Sequence, residues 1–129
     1  MKFSQETFSD ANYIHAYDSQ AIVVRDKNNL ELHKLHTDLI LTAGQIITDW
    51  KINQIFDIPV SDIDFLMSLD PEVLIITTGS NHHFLPPQLL VQFSEKSIGV
   101  ECMSLGAACR TYNLLIAEGR RVVLLASFD

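Results

Sequence analysis

Three apolar blocks in the carboxyl-terminal half constrain this chain more than any other feature: VLIITT at 73–78, IGVECM at 98–103 and RRVVLLAS at 120–127. The first is a continuous, β-branched run of the kind found in a strand buried on both faces. The segments between the blocks read as helices. Pro86-Pro87 opens one that carries Leu89, Leu90 and Phe93, since proline suits a first helical turn. Ser104 can cap another, running over 104–118, whose apolar stripe is Leu105, Ala108, Cys109, Tyr112 and Ile116. Gly119 then stands where a helix end needs a left-handed residue. Upstream, Ser61-Asp62-Ile63-Asp64 forms a capped helix start, followed by Phe65, Leu66 and Leu69 before Pro71 ends the helix. The resulting order is β-α-β-α-β. Right-handed crossovers make its strands parallel, with 73–78 and 98–103 expected as neighbours at the sheet centre.

The amino-terminal half has the shorter period of paired strands. Runs at 13–18, 21–25, 30–35, 38–43 and 46–50 are rich in Ile, Val, Leu and aromatics, and turn formers such as Asp26-Lys27-Asn28-Asn29 and Gly44 separate them. Alternation fails through His33 and Lys34, which predicts a bulge there or a sheet covered on both faces. The expected fold is α/β: a single domain over 1–129, with antiparallel strands over about 12–51 that join or cover a parallel unit over about 61–127.

Composition narrows the function. The 129 residues carry 9 Lys and Arg against 16 Asp and Glu, a formal charge of -7, and the basic residues are scattered. Such a surface repels a phosphate backbone, so nucleic-acid binding is disfavoured. Runs such as VVLLA at 122–126 are too short to cross a bilayer, and no membrane span is expected. The start, MKFSQETFSDANYIHAYD, lacks a basic region followed by an apolar core and reads as a cytoplasmic amino terminus. Cys102 and Cys109 are the two cysteines, outside a CxxC spacing, and read as reduced, buried thiols.

In open α/β sheets ligands favour the crevice at the carboxyl ends of parallel strands, here the loops 77–86 and 103–106, which should open on one edge. Thr78, Gly79, Ser80 and Ser104 sit in those loops. On the helix over 104–118, Gly106, Arg110, Asn113 and Ala117 recur at three and four and share a face. Arg110 offers a planar fork for a carboxylate or phosphate, and Asn113 both donates and accepts. Thr78, Gly79, Ser80, Ser104, Arg110 and Asn113 are therefore the candidate ligand- or partner-binding residues. The alternative for Arg110 and Asn113 is a structural tie to a neighbouring backbone. Glu118 and Arg120 flank Gly119 and can pair as a helix-end device.

Catalytic signatures are incomplete. Ser80 lacks the G-x-S-x-G elbow, and TTGS has no Lys for a phosphate-binding loop. Adjacent His82 and His83 rarely aim at one ion and have no carboxylate or thiol at ligand spacing; His33 and His36, three apart in strand-like sequence, point to opposite faces, and His15 stands alone. No catalytic residue, metal site or cofactor is assigned.

The run PEVLIITTGS, then IGVECM, then AACRTYNLLIAEGRRVV resembles the family that includes the mitochondrial complex I assembly factor 3 and the adipogenesis-associated domain protein, with many bacterial members. The chain departs from it at Thr77-Thr78-Gly79, where the family often has Gly-Thr-Gly, and at Leu105, where it often has Thr. The resemblance implies a compact β/α domain without an established enzymatic reaction and, in the eukaryotic branch, assembly of a respiratory complex through protein contacts. Two functions follow as expectations: a non-enzymatic, assembly-factor-like domain with a protein partner, or a small anionic ligand-binding protein or enzyme using the strand-end crevice. Homo-oligomer formation is compatible with both.

Overall fold

The computed structural model describes residues 11–48, 60–77 and 87–128. Strands β1 (Tyr13–Tyr17), β2 (Ile22–Arg25) and β3 (Leu32–Leu35) form an antiparallel sheet in that order. Strands β4 (Leu39–Leu41) and β5 (Ile46–Ile47) leave it for a second sheet. Helix α1 (Val60–Ser68), strand β6 (Val73–Thr77), helix α2 (Pro87–Glu95), strand β7 (Gly99–Met103), helix α3 (Leu105–Ala117) and strand β8 (Val122–Ala126) complete the order.

The second sheet runs β5-β4-β8-β6-β7, with β8, β6 and β7 parallel and β4 antiparallel to β8. The single α/β domain with a parallel core and added antiparallel strands is thus observed. Both relations expected of the amino-terminal strands occur, since β4 and β5 join the sheet while β1–β3 form a layer of their own.

Side-chain alternation along the sheet divides the interior into two cores. Ile75 and Leu124 face α3, whose Ala108, Cys109, Tyr112 and Ile116 are buried between that face and Ile14, Ile22 and Val24 of the three-stranded sheet. Leu74, Ile76, Val123 and Leu125 face the other way, onto Ile63 and Leu66 of α1 and Leu89 and Phe93 of α2. The order of layers is sheet, α3, sheet, and the pair α1 and α2. A side chain such as Phe93, with no exposed surface, contributes about 1.5–3 kcal/mol by leaving water.

The ends of α3 follow the sequence. Ser104 is its N-cap, with Oγ accepting from the Ala107 amide at 3.4 Å. Gly119 adopts φ +76°, and the Gly119 and Arg120 amides bond back to Ile116 and Leu115 carbonyls, a Schellman ending that a Cβ would strain.

Three expectations are corrected. Strand β7 neighbours β6 in parallel but is the edge of the sheet among the described residues, because the connection through α3 carries the chain back across β6 to its other side. The exposed Glu101 within β7 is the sequence sign of that edge. The register irregularity falls in β1, between Ile14 and Ala16, while β2 and β3 pair regularly through His33 and Lys34. Leu90 projects outward, 39% exposed, leaving Leu89 and Phe93 as the buried residues of α2. Arg120 reaches Glu72, not Glu118.

Candidate functional site

Thr77 and Met103 are register partners at the ends of β6 and β7, so the connections that follow both leave from one edge of the sheet. Thr78, Gly79 and Ser80, with His82 and His83, lie outside the described residues. Thr77, where the expected strand and crevice loop meet, is the last residue of β6; it is fully buried and ties this edge together. Its Oγ1 accepts from the Ser127 amide at 2.8 Å and donates to the Ser127 carbonyl at 3.3 Å. Ser104 stands at the same edge, spent as a helix cap.

Arg110 and Asn113 leave that edge for the seam between α3 and β1. Asn113 is a structural tie. The Ile14 amide donates to its Oδ1 at 2.8 Å and its Nδ2 donates to the Ile14 carbonyl at 2.7 Å, so its amide pairs with β1 as another strand would. One residue earlier, the buried Tyr112 hydroxyl donates to the Asn12 carbonyl at 2.8 Å. Burial pushes the Tyr112 phenol far above its ordinary acidity range. Asn12, also buried, donates from Nδ2 to the Thr42 carbonyl and accepts from the Lys27 amide, so it joins the segment before β1 to two turns. Sequence reasoning passed over Asn12, since its partners lie 15 and 30 residues away.

Arg110 remains exposed and turns back toward the start of α3. Its Nη1 donates to the Tyr17 hydroxyl at 2.6 Å. Gly106 allows this, because a Cβ there would sit 3.2 Å from Tyr17 Cε2 and 3.3 Å from Arg110 Nη1. Leu114, one helical turn beyond Arg110, is 60% exposed, and Tyr17 is 40% exposed. Tyr17 and the cationic fork of Arg110 are thus joined at the surface, with the exposed aliphatic Leu114 on the next turn of the same helix. Tyr17 was missed in the sequence, where 93 residues separate it from Arg110.

Other polar groups are occupied structurally. Glu72 accepts from the Arg121 amide at 3.0 Å and pairs with Arg120 Nε at 3.3 Å. That amide bond, aided by both guanidinium groups and opposed by partial desolvation, holds its carboxyl below the usual range. Burial pushes the Cys109 thiol up to about 12, and desolvation also raises Cys102, which is half-buried. His33 lies 3.4 Å from Asp26. Among the described residues, no three His, Cys, Asp or Glu side chains are grouped to hold a metal ion.

Comparison with known proteins places this geometry. A family model described as "Protein of unknown function (DUF498/DUF598)" matches residues 14–126. The "13 kDa major membrane protein" of Francisella tularensis subsp. holarctica is 32% identical over 100 residues, covering 77% of this chain and 81% of that protein. The "NADH dehydrogenase (ubiquinone) 1 alpha subcomplex assembly factor 3" of Mus musculus is 27% identical over 118 residues, covering 90% of this chain. The match spans 60% of that longer protein. Among solved structures, a crystal structure of a Bordetella parapertussis protein is similar with a TM-score of 0.75 at 33% identity, over 92% of this chain and 97% of that one.

Proposed function

Since the chain belongs to the DUF498/DUF598 family, whose model covers residues 14–126, we propose that it is a protein-binding domain with an assembly-factor-like role, acting through Tyr17, Arg110 and Leu114. The relation to complex I assembly factor 3 supports the class of function. The observation that carries the site is the exposed Arg110–Tyr17 hydrogen bond, with exposed Leu114 one helical turn further on, because Tyr and Arg anchors are among the residues that dominate protein interfaces. Tyr17 holds one arm of the guanidinium and leaves its remaining donors to meet a partner carboxylate as a bidentate fork.

The partner is a protein presenting an acidic side chain beside apolar surface. The proposed compartment is the cytoplasm, supported by two free cysteines. No described helix is long and apolar enough to cross a membrane.

Capture from native lysate, compared between wild type and folded variants, tests this reading. Arg110→Lys keeps the charge and loses the fork, so partner affinity should fall by about 1–3 kcal/mol at unchanged melting temperature. Leu114→Ser should weaken the same partner. Equal capture by wild type and a folded Arg110→Ala variant would end the proposal.

A further inference from the structure

A cavity of about 520 Å³ opens at the opposite edge of the fold, where α3 ends and β8 begins. Ala11, Ala43, Leu69, Ile116 and Val122 give its lining an apolar part, and Thr42, Arg120 and Arg121 give it a polar one. That volume lies within the range of small-molecule sites, roughly 300–1,000 Å³. Cations cluster at the mouth. Arg120 and Arg121 line it, and Lys27 Nζ comes within 3.9 Å of where a Cβ would stand on Gly44, another lining residue.

Glu72 and Asp70 answer the two arginines, each with a 3.3 Å contact. Lys27 forms no ion pair with any carboxylate among the described residues. Lys27 thus stands beside the partly apolar cavity as a cation without a carboxylate partner among the described residues. We propose that this cavity binds a small anionic amphiphile: an apolar chain seated against the alanine, leucine, isoleucine and valine walls, with an acidic head group at Lys27. Carboxylate and phosphate heads share this chemistry.

Titration of the uniformly ¹⁵N-labelled full chain, followed by amide NMR, tests the site with octanoate and octyl phosphate as the two head groups. Saturable shifts are expected at Gly44, Ala117 and Gly119. Affinity should rise about threefold or more per methylene from butanoate to octanoate, as chain burial requires. Saturable binding of either head group supports the site, and the tighter one identifies the head. Octylamine should bind at least tenfold more weakly, since its charge opposes Lys27. Lys27→Glu, on an exposed turn, should weaken octanoate about two- to fivefold. Ala117→Trp, at the exposed end of α3, should abolish binding by filling the mouth while the melting temperature confirms folding. Absence of saturable shifts, equal affinity for octylamine, or wild-type affinity in both variants overturns the proposal.

Discussion

At the scale of single residues, the side chain whose role changed most is Asn113. In the linear sequence it is one more polar position on a helix; in the fold its amide completes the hydrogen bonding of the Ile14 backbone. Asn113→Ala leaves the Ile14 amide and carbonyl without that partner in a part-buried seam, so stability should fall by about 1–3 kcal/mol. Denaturant unfolding measures this, and a loss below about 0.5 kcal/mol would mean that water replaces both bonds without cost. Arg110 contrasts with it on the same face. Its hydrogen-bond partner among the described residues, the Tyr17 hydroxyl, is itself exposed, and that leaves the fork open to an outside group.

At the scale of elements, hydrophobic pattern identified nearly every strand and helix, yet it ranked β7 wrongly. IGVECM and VLIITT look alike as apolar blocks, but Glu101 is exposed in β7 while Leu74, Ile75 and Ile76 in β6 have no exposed surface. The difference is one of neighbours: β6 pairs with β7 on one side and β8 on the other, and β8 likewise lies between β4 and β6. Amide hydrogen exchange should therefore be slowest in β6 and β8 and faster in β7. Equal protection across β6, β7 and β8 would contradict the strand order. On α2 the helical period puts Leu89 and Phe93, four residues apart, into the core and turns Leu90 outward, a division their shared apolar character does not show.

For the whole molecule, the five-stranded sheet is shared by both cores. Ile75 belongs to the core with α3 and the three-stranded sheet, and Ile76, the next residue, belongs to the core with α1 and α2. Both are fully buried. Truncating either to alanine removes about the same apolar volume, with an expected cost of about 2–5 kcal/mol. Because the two cores share the sheet, Ile75→Ala and Ile76→Ala should each lower a single cooperative melting transition, measured by calorimetry. Two separate transitions, with each variant moving a different one, would show that the layers unfold independently.

The sequence alone determined the α/β class, the order of the elements, the Ser104 cap and the Gly119 ending, because each depends on chain-local physics: apolar period, capping geometry and the freedom of glycine to take positive φ. Family membership was legible for a related reason, since the motif from Ala107 to Val123 is contiguous. Only the tertiary structure decided which strand is the edge, that Arg120 meets Glu72, and that Asn113 serves β1 while Arg110 meets Tyr17. These depend on contacts between residues some fifty to a hundred positions apart. Spacing along a helix says which side chains share a face; the packing of β1 against α3 decides what that face meets.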